Sequence, residues 1–276
     1  MADLEYDPHP AEGYAVFTLN RPQRLNAIGG ELMSEFLAAL ESFTNESKMR
    51  VGIVTGSGRA FSAGADMREG ADRDASTATL RERLGRGEIT QDDFNRESRQ
   101  NGPGVRFDLF SGNKKPFIAA INGLAIGGGM HWAMDCDIRI ASEEAYLGLY
   151  EPKRGITAGY GSQYLGRMVP FGEAMYILLT SDRLEVNEAR RIGLVHEVLA
   201  PDALLPRAIE IARMIVEGAP MAIEATKAVA HFWMKNEAEA LSAYSSPITS
   251  TVQASEDVVE GRRAFVEKRD PVWKGR

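Results

Sequence analysis

Phe61-Ser62-Ala63-Gly64-Ala65-Asp66 and Ile121-Asn122-Gly123-Leu124-Ala125-Ile126-Gly127-Gly128-Gly129 are two glycine-rich turns, and each follows a short apolar run. Glycine lets backbone N–H groups turn toward a ligand in conformations that other residues resist, and small neighbours leave room for close approach. A helix starting at Gly128 adds its positive dipole end. Together the two turns read as one anion-binding site, with one N–H donor from each.

The elements around the turns follow from periodicity. Tyr14-Ala-Val-Phe-Thr-Leu19 and Val51-Gly-Ile-Val-Thr55 read as strands. Glu31 to about Ser47 reads as a helix with Leu32, Phe36, Leu40 and Phe43 on one face. Phe117-Ile-Ala-Ala-Ile121 and Cys136-Asp-Ile-Arg-Ile140 are further apolar runs of strand length, so strands and helices alternate through residue 148. From Gly161 onward strands almost vanish, apart from Leu194-Val-His-Glu-Val-Leu199, and helices are expected at Phe171 to Thr180, Asp202 to Glu217 and Met221 to about Thr251. Gly218 and Pro220 punctuate the last two. Between Met67 and Lys115 the sequence turns charged and glycine-dotted, and its position between the two turns suggests a lid. Phe94, Phe107, Leu109 and Phe110 either line an apolar tunnel there or pack the insertion onto the body.

Composition narrows the partners. The chain of 276 residues is 44% hydrophobic and 26% charged, enough for one large core or a core plus a small appended unit. Its net charge is −7, and it has no Lys/Arg-rich block that could track a phosphate backbone, so nucleic acid is not expected as a partner. The single cysteine, Cys136, gives no disulfide framework and no thiolate metal site, which fits a reducing cytoplasm. The N-terminus lacks a basic start and an apolar core, and no stretch reaches the roughly eighteen apolar residues that a membrane span needs. With only four histidines and no clustered ligand spacing, no metal is expected. Asp66, Asp135 and Asp137 read as caps of turns.

The run Leu19-Asn20-Arg21-Pro22-Gln23-Arg24-Leu25-Asn26-Ala27, the two glycine turns, and Cys136-Asp137-Ile138-Arg139-Ile140-Ala141 resemble the crotonase (enoyl-CoA hydratase/isomerase) superfamily. So do Gly148-Leu149-Tyr150-Glu151, Ala189-Arg190-Arg191-Ile192-Gly193-Leu194-Val195 and Ala264-Phe265-Val266-Glu267-Lys268-Arg269, all in family order. The resemblance implies an α/β fold: a ββα spiral core over residues 11–200, interrupted by the 67–115 insertion, then a helical region over 201–276 that packs homotrimers, often paired into hexamers. It implies an acyl-CoA substrate, with coenzyme A entering as part of that substrate and no permanently bound cofactor. By position, the oxyanion hole falls on the N–H groups of Ala65 and Gly128, which would hold a thioester oxygen as it becomes an enolate. Arg24, Leu25 and Ala63 would border the coenzyme, with Phe265 and Lys268 reaching in from the C-terminal helix.

Family hydratases use two glutamates, and here those positions hold Glu151 and His131. Glu151 is the expected general acid/base. His131 departs from the pattern, since imidazole differs from carboxylate in charge, reach and tautomer. It replaces the first glutamate in handling water or a substrate hydroxyl, or it leaves Glu151 to act alone, or it packs beside Trp132. Hydration of a 2-enoyl-CoA is therefore the default expectation. The alternatives are a double-bond isomerase using Glu151 alone, a thioester or carbon–carbon bond hydrolase using His131 with Glu151, and a non-catalytic binding or scaffold protein. Gly159 stands where dienoyl-CoA isomerases of the family carry an acid, which disfavours that reaction. Some homologues bind AU-rich RNA through a lysine-lined helix, but the matching helix here, Glu31 to Ser47, is acidic.

Overall fold

A computed structural model describes residues 2–100, 105–272 and 274 of the chain, so residues 101–104 of the insertion lie outside the described residues. The first half runs β1 (Leu4–His9), β2 (Tyr14–Leu19), α1 (Leu32–Asn45), β3 (Val51–Gly56), β4 (Ala60–Ser62), α2 (Met67–Gly85) and α3 (Gln91–Gln100). The middle continues with β5 (Phe117–Ile121), β6 (Leu124–Ile126), α4 (Gly128–Asp135), β7 (Ile138–Ser142), β8 (Tyr146–Gly148), α5 (Gly159–Met168) and α6 (Phe171–Thr180). It closes with β9 (Leu184–Glu185), α7 (Val186–Arg191), β10 (Glu197–Leu199), α8 (Pro201–Val216), α9 (Pro220–Gln253) and α10 (Glu256–Glu267). Single 3-10 turns span Pro22–Arg24 and Pro152–Arg154.

Two sheets explain the winding. The larger has the order β1-β2-β3-β5-β7-β10, and the smaller β4-β6-β8-β9. Pairing is parallel throughout except at β1 with β2 and β8 with β9. Thus β3 and β4, β5 and β6, and β7 and β8 each place one strand in each sheet before the chain turns into helix, which is a ββα spiral.

The uninterrupted apolar runs of β2 and β5 are explained by burial on both faces. Phe17 and Leu19, with Phe117, Ala119 and Ile121, face an aromatic core that also contains Phe36, Phe43, Phe61, Phe110 and Trp132. Val16, Ile118 and Ala120 face the other way, against Leu204, Ala208, Ile211 and Ala212 of α8. Helix α8 therefore covers the outer face of the larger sheet.

Helices α2 and α3 form within the insertion, which the sequence reading left without secondary structure. Their sequences lack a continuous apolar stripe, so periodicity gives no signal. Asp66 caps α2 as expected, accepting from the Arg68 N–H at 3.2 Å. Asp135 and Asp137 act differently from turn caps, because each binds segments distant in sequence. Asp135 accepts from the Phe110 N–H at 2.8 Å and the Tyr160 hydroxyl at 3.0 Å. Asp137 accepts from the Phe117 N–H at 2.7 Å and from Lys227 Nζ at 2.8 Å, with His231 Nε2 at 2.7 Å from its other oxygen. These contacts fasten α9 to the spiral.

The strand read from Cys136 begins at Ile138, since Asp137 turns inward to these donors. No helix among the described residues is long and apolar enough to cross a membrane.

Asn26 holds the first glycine turn. It has φ 53° and is fully buried; its Oδ1 accepts from the Arg21 N–H, and its Nδ2 donates to the Ser57 and Ala60 carbonyls. Leaving buried polar groups unsatisfied costs about 1–3 kcal/mol each. Asn26→Ala is therefore expected to lower unfolding stability by about 3 kcal/mol, read as a drop in the urea midpoint with unchanged slope.

Candidate functional site

Parallel bonding aligns the first turn with the segment after Arg24: Ala63 donates to the Leu25 carbonyl, Ile28 to Gly64, and Asp66 to Ile28. Leu25 adopts φ 51°, which brings its carbonyl to Ala63, while Arg24 stays exposed beside it. The Ala63 and Asp66 N–H groups are thereby used, and that of Gly64 donates to Ser62 Oγ at 3.1 Å. The Ala65 N–H, between two used ones, has no partner among the described residues.

The second turn packs directly on the first. Gly64 has φ +85°, and a Cβ there would stand 2.6 Å from the Ile126 carbonyl oxygen and 2.8 Å from the Gly128 nitrogen. A Cβ on Gly128 would lie 3.4 Å from the Ala65 nitrogen. The two N–H groups are thus adjacent, and Gly128, as the first residue of α4, has no intrahelical acceptor for its own. The pair is an oxyanion hole in geometry, with the dipole end of α4 behind it.

Glu151 and His131 flank this hole. Gly127, at φ +53°, leaves room for Glu151, since a Cβ there would come within 3.2 Å of Glu151 Oε1. His131, one turn into α4, places Nε2 3.6 Å from the same oxygen. Both side chains are buried, His131 at 2% exposure and Glu151 at 8%. Neither imidazole nitrogen nor Glu151 Oε2 has a hydrogen-bond partner among the described residues. Unsatisfied polar atoms on two buried side chains whose head groups face each other at 3.6 Å are what a polar reactant would satisfy.

Burial sets the charges. It pushes the Glu151 carboxyl up to about 7, partly offset by its own backbone and by the Arg154 guanidinium. It pulls the His131 imidazole down to about 4, with the Ala158 backbone opposing. At neutral pH the pair is therefore a neutral imidazole beside a carboxyl poised between its two forms.

The walls are apolar. Phe107 meets the His131 ring edge to face at 5.1 Å, and Tyr160 lies 5.9 Å from it. A Cβ on Gly128 would also touch Val105, so the end of the insertion overhangs the oxyanion hole. Phe107 thus contributes to the pocket wall, whereas Leu109 and Phe110 are buried in the aromatic core. A Cβ at Gly159 would meet nothing within 4 Å, which leaves that corner open.

The remaining candidates separate into two groups. Leu25 and Ala63 are hydrogen-bonded neighbours with Arg24 beside them. Phe265 packs on the Arg154 guanidinium at 4.8 Å, and Lys268 is an exposed C-cap at φ 54°. Tyr150 packs against Gly148 and stands 6.0 Å below both the Lys153 and Arg154 head groups. The sequence reading missed Arg154, in the turn that follows Glu151, and also Val105 and Tyr160, which only a contact across the fold could have singled out. Among the described residues, no group of three or more His, Cys, Asp or Glu side chains could hold a metal ion.

A ββα spiral carrying two glycine turns with paired free N–H groups defines the crotonase class of fold and site. The chain belongs to the enoyl-CoA hydratase/isomerase family, whose model matches residues 10–87 and 75–276. It is 36% identical to a short-chain-enoyl-CoA hydratase of Clostridium acetobutylicum, covering 92% of each chain. It is 35% identical to a crotonyl-CoA hydratase of Syntrophomonas wolfei, covering 94% of this chain and 93% of that one. Among solved structures it resembles a carnitinyl-CoA hydratase from Mycobacterium avium, with TM-score 0.81, 30% identity and full coverage of both chains.

The two buried groups tilt the pH dependence of stability in opposite directions. From 4.5 to about 7 the unfolded chain ionises Glu151 while the folded chain keeps the proton, so this contribution falls as pH rises. Below 6.5 the unfolded chain protonates His131 while the folded chain refuses the proton until about 4, so this contribution falls as pH falls. Urea midpoints measured between pH 4.5 and 6.5 should rise with pH more steeply in Glu151→Gln than in the parent. In His131→Gln the change should tilt the other way. Equal slopes in all three proteins would mean that neither group is perturbed by burial.

Proposed function

We propose that the protein hydrates 2-enoyl-CoA thioesters, with the Ala65 and Gly128 N–H groups holding the thioester oxygen and Glu151 and His131 handling the water. The observation that carries this reading is the convergence of unsatisfied Glu151 and His131 atoms beside two free N–H donors. The family and the hydratase names of its relatives support the reaction class.

In the reaction, a water held between His131 Nε2 and Glu151 gives a proton to ionised Glu151, and its oxygen adds to C3 of the conjugated system. The electron pair moves to the thioester oxygen as an enolate, which the two N–H groups stabilise. Protonated Glu151 returns the proton to C2, so one carboxyl serves as base and then acid. Neutral His131 orients the water without adding charge. The second reading, isomerisation by Glu151 alone, is favoured by one observation: the pair contains only one carboxyl. Under either reading coenzyme A enters with the substrate, Arg24, Leu25 and Ala63 border it, and Phe265 and Lys268 contribute from α10. Cleavage of a thioester or carbon–carbon bond by His131 with Glu151 uses the same hole.

The decisive assay follows the conjugated thioester absorbance with short and medium trans-2-enoyl-CoA substrates. The parent should consume it, and Glu151→Gln should lose about 10²–10⁴-fold in rate. Turnover absent in the parent but gained in His131→Glu would assign the site to a different reaction on the same scaffold. A shifted double bond without incorporation of water would select the isomerase.

Self-association as a homotrimer or hexamer fits the large apolar side chains exposed on α6 and α9, among them Phe171, Leu179, Met221 and Phe232, each at least 67% exposed. Light scattering should then give a mass of three or six chains, and Phe171→Glu with Leu179→Glu should reduce it. A cytoplasmic location fits the lone buried Cys136.

A further inference from the structure

A second concave site lies on the far side of the Pro152–Arg154 turn, a cavity of about 350 Å³ between that turn, the residues following α6, and α10. Four cations line it, and two of them are already committed. Arg183 pairs with Glu185 at 2.6 Å, and Arg269 pairs with Glu260 and Glu267, both at 2.6 Å.

The other two are not committed to a carboxylate. The Arg154 guanidinium makes no hydrogen bond and no ion pair within 4 Å among the described residues; it is stacked on Phe265 at 4.8 Å, and burial pulls its pKa below the ordinary value against the opposing field of Glu151. Lys153 spends one donor on the Ser181 carbonyl at 2.8 Å and keeps the others. The acid on the lining, Asp182, is itself occupied: one oxygen accepts from the Arg183 N–H at 2.8 Å and the other from the Tyr176 hydroxyl at 3.0 Å. The Arg154 guanidinium and the remaining Lys153 donors therefore stay open to a further acceptor.

An independent observation points the same way. Ser181 lines the cavity, is 1% exposed, and has a hydroxyl with no partner among the described residues. It sits in the left-handed region at φ 48° as the C-cap of α6, which brings its carbonyl to Lys153. A buried hydroxyl without a partner and a half-buried guanidinium without a partner in one cavity leave a shared acceptor missing.

We propose that this cavity is a binding site for a phosphate group, held by Arg154, Lys153 and the Ser181 hydroxyl. A planar carboxylate is satisfied by the fork of one arginine. Three donors arriving from two separate elements, the Pro152–Arg154 turn and the end of α6, match the several oxygens of a tetrahedral dianion. The site stands on these contacts and does not depend on the hydratase reading. The phosphate has two possible sources, a free anion acting beside the Glu151 segment or a phosphate of the coenzyme portion of a thioester, and both present the same oxygens.

The test is calorimetric titration of the full chain with inorganic phosphate at low ionic strength. The parent should bind one equivalent saturably. Arg154→Met should weaken binding by about tenfold or more, as loss of a charge-assisted pair implies. Ser181→Ala removes only a hydroxyl and should weaken it measurably, and it carries the test if the arginine variant unfolds, which circular dichroism will report. Competition then separates the sources: coenzyme A displacing phosphate, with pantetheine inert, assigns the site to the coenzyme, and failure of both to displace it assigns a free anion. No saturable binding by the parent, or equal affinity in the parent and both variants, overturns the proposal. Enoyl-CoA turnover is measured on the parent sample, where intact turnover without phosphate binding rejects this site and leaves the hydratase reading standing.

Discussion

The close approach of two backbone turns is the constraint on which the rest of the site depends. A Cβ on Gly129 would fall 2.2 Å from the Ser62 carbonyl oxygen, and one on Gly64 would fall 2.6 Å from that of Ile126. Only hydrogen side chains allow the turns to touch, and only touching turns put the Ala65 and Gly128 N–H groups side by side. The spiral exists to present them: β4 and β6 are parallel neighbours in the smaller sheet, so their C-terminal ends emerge together. Each turn follows one of these ends directly. The large aromatic core beneath, centred on Phe17, Phe36, Phe117 and Trp132, keeps that end of the sheet from relaxing.

Electrostatically, the site differs from a pair of carboxylates. Two acids 3.6 Å apart would repel, and one would be forced to hold a proton. With imidazole in one place, Glu151 is shifted by burial in place of a charged neighbour, and His131 is silenced by the same burial. The pair carries at most a single negative charge near neutrality, which suits a reaction that borrows one proton and returns it. It also keeps a second negative charge away from the Ala65 and Gly128 N–H groups.

Much of this was legible in the sequence because the spiral's strands are buried on both faces. Continuous apolar runs at Tyr14–Leu19 and Phe117–Ile121 have no other explanation at that length, and their boundaries match the observed strands. Helix α6 and the start of α4 were equally plain, from periodicity and from the triple glycine. The short strands β4, β6 and β8 were not, since three residues are too few for a period to appear. Helices α2 and α3 were hidden for the opposite reason, being too charged to carry a stripe. Within the candidate site, motif position pointed to Glu151, Ala65 and Gly128, which the fold brings together, whereas Val105 and Phe107 reach the pocket from the insertion by a path that no local pattern encodes.

Asp135 and Asp137 show why local reading fails at one kind of residue. Flanking Cys136 at the end of α4, both look like ordinary caps, yet each is buried or nearly so and collects donors from far along the chain. Asp135 draws in Phe110 from the insertion and Tyr160 from α5, the two segments that wall the His131 pocket. Asp137 draws in Lys227 and His231 from α9, and Lys227 in turn donates to the carbonyls of Phe110 and Lys115 at 2.8 and 2.9 Å. A cation satisfied on three sides by one carboxylate and two carbonyls leaves little freedom to either partner, because exposing any of them uncouples a buried charge. The two aspartates therefore tie the insertion and the C-terminal helix to one point immediately behind α4. The pocket wall and the long helix are held by the same short stretch that ends the helix bearing Gly128 and His131, so displacement of either is felt at the Glu151–His131 pair.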